Sequence, residues 1–168
     1  MDLVPVTLLD YASGRIRRVR RSTLAAETYG LAECSAATQW ARSISTEILR
    51  GAPKRGDDSD DFFPACVVVD AKALFDRLVS SRGINSADRR VSVELSMLKQ
   101  GLEENNMTIR WIPTRQMVAD PLTKLMPPGA PEVQYSRRAV ESGLYTLGPD
   151  SRAQVDHRGR SLGDEWLK

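Results

Sequence analysis

Histidine is almost missing from this sequence. There is one in 168 residues, His157, and it lies in a polar stretch near the end. That counts against an imidazole-based zinc centre and against a Ser-His-Asp triad, because both need histidine at the reacting atoms. Cysteine is scarce as well. Cys34 and Cys66 are the only two, too few for a disulfide framework, so a reducing, intracellular setting in cytoplasm or nucleus is expected. Both are expected to be packing residues. No run of about eighteen apolar residues occurs, which excludes a membrane-spanning helix, and no membrane partner is expected. The opening residues Met1–Pro5 lack the basic and then apolar pattern of a signal peptide. With so little imidazole and thiolate, any bound metal would have to be held by carboxylates, which favours Mg2+ or Mn2+.

What remains is ordinary globular composition, with 41% hydrophobic and 27% charged residues. The length suits one domain with a core and a short appendage. Net charge is only +2, but 19 of the 24 basic residues are arginine. Guanidinium forks match phosphate geometry. A coding bias towards arginine codons gives the same excess.

Residues 3–12 are rich in β-formers, Ser13-Gly14 reads as a turn, and Arg15–Arg21 alternates arginine with Ile16 and Val19. Together they predict a hairpin whose second strand carries Arg15, Arg17 and Arg21 on one face. Such a strand is either a solvated edge protected by charge or a patch facing nucleic acid. A long helix follows, capped by Ser22 or Thr23. Glu27, Gly30, Cys34, Ala37, Ala41, Ile44 and Ile48 fall on one helical stripe, predicted to face the core. Glu27 at its end is either a first-turn carboxylate favoured by the helix dipole or a metal ligand.

Ala65–Val69 is a short apolar run that predicts a strand buried on both faces, ending at Asp70 before a helix from Ala71. Asp70 is either an N-cap or a functional group at a strand end, where open α/β sheets place them. Ser86 is expected to open a further helix with Val91, Leu95, Leu98 and Leu102 inside, ended by Gly101 and Asn105-Asn106. Met107–Ile112 predicts a strand stopped by Pro113. Asp120 before Pro121 reads as an N-cap followed by proline. Trp40 and Trp111 are expected to pack at the core or its rim. Pro127–Pro131 reads as a linker, and the expected organisation is one domain over 1–126 followed by a linker and polar tail over 127–168, with one small element near Val140–Leu147.

Glu27, Asp70 and Asp120 therefore fall near a helix start, a strand end and a strand-to-helix junction. Carboxylates gathered at one sheet edge repel unless divalent cations lie between them, and two such cations serve phosphodiester hydrolysis. In their order along the chain, four segments resemble the ribonuclease H domain of copia-type retrotransposon polyproteins. These are Leu9–Val19, Arg21–Glu27, Val68–Leu74 and Ile109–Lys124, and the likeness covers residues 6–126. It implies an α/β fold, a ribonuclease H-like mixed sheet flanked by helices. It also implies Mg2+- or Mn2+-dependent cleavage of the RNA strand of RNA–DNA hybrids, beside a reverse transcriptase domain in the parent polyprotein. Asp70 would then ligate the metal that activates water, Glu27 its partner metal near the leaving 3′ oxygen, and Asp120 the first metal's remaining shell. Arg15, Arg17, Arg21, Ser22 and Lys72 would meet the nucleic acid. The family's first acid lies on a leading strand that has no counterpart here, so the first strand is expected to be missing and activity weak or absent. The alternatives are a non-catalytic nucleic-acid-binding remnant or a decayed transposon fragment.

Overall fold

The computed structural model describes residues 2–9, 12, 22–51, 63–80, 88–147 and 150–153. In chain order these form β1 (Asp2–Pro5), α1 (Thr23–Arg50), β2 (Ala65–Val69), α2 (Lys72–Val79), α3 (Arg89–Glu104) and β3 (Met107–Trp111). A 3-10 turn (Thr114–Gln116), α4 (Asp120–Thr123), α5 (Pro131–Ser142), β4 (Leu144–Leu147) and β5 (Arg152–Ala153) follow. The architecture is mixed α/β. β2 and β3 run parallel in register from Ala65 opposite Met107 to Val69 opposite Trp111, and β5 adds antiparallel on the far side of β3. A parallel pair needs a crossover, and α2 and α3 supply it.

The core lies where α1, α2 and α3 meet this ladder. Alternate residues of β2 (Ala65, Val67, Val69) are buried while Cys66 and Val68 are half-covered, so β2 is buried on one face rather than both. Leu74, Phe75 and Leu78 of α2 join them. So do Val91, Leu95, Leu98 and Leu102 of α3, the stripe expected from the sequence. Asp88 caps α3, its Oδ1 accepting from Arg90 N at 3.0 Å; the expected start at Ser86 lies outside the described residues. Asn106, in the left-handed region at φ 51°, turns the chain into β3.

α1 departs from its expected face. Ser22 caps it as anticipated, its Oγ accepting from Ala25 N at 3.2 Å. The buried residues, however, are Ala25, Thr28, Leu31 and Thr46. Gly30, Cys34, Ala37 and Ile48 of the expected stripe are exposed, and Ala41 and Ile44 are half-covered. Cys34 and Trp40 therefore do not pack inside; Trp40 is 66% exposed. Thr28 is tolerated inside because its Oγ1 donates to Leu24 O at 2.7 Å, which leaves no orphaned hydroxyl.

The first strand is shorter than expected. β1 ends at Pro5, Val6, Leu8 and Leu9 are exposed, and β1 pairs antiparallel with β4, from Asp2 opposite Leu147 to Pro5 opposite Leu144. Val6 N extends this ladder to Gly143 O at 2.8 Å. Gly143 ends α5 at φ 65°, a conformation suited to glycine, and a Cβ there would lie 3.6 Å from Val6 O. The arginine-rich half of the expected hairpin, residues 13–21, lies outside the described residues. Residues 131–153, expected as linker and tail with one small element near Val140–Leu147, carry α5, β4 and β5, and each of these packs or pairs with earlier elements. Among the described residues no helix is long and apolar enough to cross a membrane.

Candidate functional site

Asp70 follows the last residue of β2. Its backbone oxygen accepts from Trp111 Nε1 at 2.8 Å, and the preceding Val69 O accepts from Ile112 N at 2.9 Å. Both bonds come from the end of β3, so the carboxyl-terminal end of the parallel pair fixes the backbone that carries this carboxylate. Asp70 is not the N-cap of α2. That position is Ala71, and no side-chain cap bond forms.

Asp120 lies beyond β3, past Pro113 and the 3-10 turn. It too is not a cap: Ala119 occupies that position and Asp120 is the first residue of α4. Its side chain is turned to another use. Oδ1 takes an ion pair from Lys124 Nζ at 2.8 Å, while Oδ2 is buried with no hydrogen-bond partner. Residues from the carboxyl-terminal third hold the junction in place. Ser136 Oγ of α5 donates to Val118 O at 2.9 Å, and Tyr145 OH of β4 donates to Gln116 O at 3.3 Å. Tyr145 is braced edge-on by Tyr135, with ring centroids 5.9 Å apart.

Glu27 is the fifth residue of α1 and so beyond the first turn, where the dipole effect is concentrated. Its carboxyl is held above its ordinary pKa. Partial burial is the main cause, followed by the negative charge of Asp70; Lys124 opposes the shift and Asp120 adds to it. Lys124 is in turn held above its ordinary value, first by its hydrogen bond to Asp120 and then by the charges of Asp120, Asp70 and Glu27, against a desolvation cost. One helix, one strand end and one junction thus bring three carboxylates into a single electrostatic cluster. Asp70 and Asp120 are not the caps that their sequence positions offered, and Glu27 lies past the first turn of α1, whereas Asp120 does stand in the first turn of α4 and pairs with Lys124 four residues on.

No protein-family model, no curated protein and no solved structure matches this chain.

Three hard oxygen donors, one with an orphaned buried atom, suit Mg2+ or Mn2+ rather than softer metals. The carboxylates sense one another's charge, yet among the described residues no three carboxylate, thiol or imidazole groups stand close enough to hold a metal ion directly. Lys124 supplies the positive charge instead. Sequence reasoning passed over Lys124, although its spacing of four from Asp120 on a helical turn was a usable signal.

The expected nucleic-acid contacts divide. Arg15, Arg17 and Arg21 lie outside the described residues. Ser22 is committed to capping α1, and Lys72 opens α2 with an ion pair to Asp76 at 2.6 Å. The structure adds a surface that the sequence did not disclose. Trp111, Pro113, Arg115, Asp150, Ser151 and Arg152 line an open groove of about 460 Å³. Trp111, one of its lining residues, is the donor to Asp70 O. Arg115 Nη2 pairs there with Asp150 at 2.7 Å. The pairing of β5 with β3 assembles this groove, and short-range patterning carries no signal for that pairing.

Proposed function

We propose that this chain is a ribonuclease H-like nuclease domain related to copia-type retrotransposon polyproteins, acting on the RNA strand of RNA–DNA hybrids. The observation that supports the reading is that Glu27, Asp70 and Asp120 come from three separate elements and that the charges of Asp70 and Asp120 reach the Glu27 carboxyl, adding to the rise that partial burial causes. By the resemblance they would serve Mg2+ or Mn2+, an ion that when bound supplies an activated water and charge relief at the leaving 3′ oxygen, although as they stand no three such groups among the described residues are close enough to ligate it directly. The sheet fixes Asp70, α1 carries Glu27, and Asp120 offers a buried oxygen with no competing partner. The groove lined by Trp111 would offer Arg152 to phosphates and an aromatic edge to a base, with Arg115 held by Asp150. Arg15, Arg17, Arg21 and Lys72 add positive charge for the same polyanion, and a reverse transcriptase domain would be the neighbour in a parent polyprotein.

One observation favours a second reading, a nucleic-acid binder without turnover: Lys124 already neutralises Asp120. Cleavage of an end-labelled RNA–DNA hybrid in Mg2+ or Mn2+ separates the two. The nuclease reading expects slow cleavage that falls about a hundredfold in Asp70→Asn. Salt-sensitive binding with no cleavage supports the second reading, and neither binding nor cleavage contradicts both.

A further inference from the structure

α1 turns Ala25, Thr28, Leu31 and Thr46 to the core and leaves an apolar side facing out. On that side Gly30, Cys34, Ala37, Ala41, Ile44 and Ile48 recur at alternating steps of three and four. Trp40, three residues past Ala37 and four before Ile44, borders the stripe. Ala41 and Ile44 are half-covered and the rest are exposed, Trp40 at 66% and Ile48 at 75%. Apolar residues at this spacing over about five turns form the seam of a two-helix contact, unlike singly scattered surface residues.

The stripe is small at its start and large at its end. Laid parallel on a copy of itself, Gly30, Cys34 and Ala37 would meet their own kind across a gap while Ile44 and Ile48 crowd the other end. Laid antiparallel, Gly30 faces Ile48 of the second copy, Cys34 faces Ile44 and Ala37 faces Ala41, so the helices stay evenly spaced. The two Trp40 rings then flank the two-fold axis and cover the small centre. Trp40 alone offers on the order of 150 Å² at its exposure. With its neighbours the face offers on the order of 500 Å² per chain, so a pair buries on the order of 1,000 Å², the least expected of a specific interface.

We propose that this face of α1 is a homodimer interface, through which two copies of the chain pair antiparallel over residues 30–48. The pairing sets Glu33 beside Glu47 of the second copy, a like-charge contact that salt relieves. It is independent of the nuclease reading, because Glu27, Asp70 and Asp120 lie outside the paired residues.

Sedimentation equilibrium of the full purified chain under reducing conditions, from about 1 to about 300 µM, is expected to show monomer–dimer exchange with a Kd on the order of 10 µM. The dimer should tighten a few-fold between about 0.1 and about 1 M salt. Ala37→Glu and Trp40→Ala should each weaken it about tenfold or more, with unchanged helix content by circular dichroism. Leu49→Glu, at a residue 67% exposed on another side of the same helix, should leave it unchanged. A chain that stays monomeric at about 300 µM overturns the proposal, whatever else covers the face. So does a dimer that Ala37→Glu and Trp40→Ala leave intact, or one that Leu49→Glu weakens as much as they do.

A cross-link tests the direction of pairing. Residues 34 and 44 are about 15 Å apart along one helix, too far for a disulfide within a chain. Ile44→Cys in a chain that keeps Cys34 is therefore expected to give a covalent dimer on mild oxidation, with peptide mapping placing the bridge between Cys34 and the new thiol. In the unaltered chain the two Cys34 residues stand about 15 Å apart in the antiparallel pair and should not bridge. A Cys34–Cys34 bridge in the unaltered chain, or no covalent dimer in Ile44→Cys, overturns the proposal.

Discussion

Asp70 and Asp120 belong to one charge cluster, yet they are mounted in opposite ways. Asp70 sits one residue beyond a buried strand, and hydrogen bonds from the end of the neighbouring strand hold its backbone. Asp120 lies on a four-residue helix beyond an irregular connection, steadied by Ser136 and Tyr145 from the end of the described chain. The first mount is part of the core and can fail only with it. The second is a docked assembly that can loosen while the core stands. A site built this way has one fixed carboxylate and one adjustable one.

Four substitutions probe that contrast. Leu74→Ala, 1% exposed in α2 just after Asp70, should cost about 3 kcal/mol of global stability in urea unfolding, because the core beneath the fixed mount is lost. Trp111→Phe removes the donor to Asp70 O and should cost about 1.5 kcal/mol. Hydrogen exchange should then accelerate at the end of β2 and leave residues 114–123 unchanged. Tyr145→Phe should cost about 1 kcal/mol or less and show the converse, with faster exchange in 114–123 and an unchanged β2. Equal acceleration at both places in either variant would erase the distinction between the mounts. Lys72→Ala, which breaks an exposed ion pair at the start of α2, should shift stability by no more than about 0.5 kcal/mol.

The sequence disclosed those parts whose physics is local. α3 announced itself because Val91, Leu95, Leu98 and Leu102 are large, apolar and spaced by a helical turn. β2 and Asp70 were visible because an apolar run stops at a single carboxylate. α1 misled because its buried face is made of Ala25, Thr28, Leu31 and Thr46, of which only Leu31 is large and apolar, so the face carries little contrast against the exposed Gly30, Cys34 and Ala37. The partner of β1 was hidden because pairing with β4 spans most of the chain and no local turn chemistry encodes it. The same holds for the buttress on Asp120. Ser136 read as part of a polar tail and Tyr145 as part of one small element within it, and neither pattern showed that the fold brings them against Val118 and Gln116. The three carboxylates were legible as residues of interest. What the pattern could not show was that the capping explanation fails for Asp70 and Asp120 and the dipole explanation for Glu27.

The claim that these carboxylates form one site is tested most directly by the carboxyl titration of Glu27. Its pKa in the fold is raised, so the folded chain holds a proton that the unfolded chain has already lost. In the window above the unfolded value of 4.5, stability should therefore fall as pH rises, levelling off above the folded pKa. Carbon-13 NMR of the Glu27 carboxyl, in the unaltered chain and in Asp70→Asn, reads the coupling itself. The account predicts a raised midpoint that moves down towards the ordinary glutamate value when the Asp70 charge is removed. A midpoint that Asp70→Asn leaves in place would contradict it, because Glu27 and Asp70 would then not share a site.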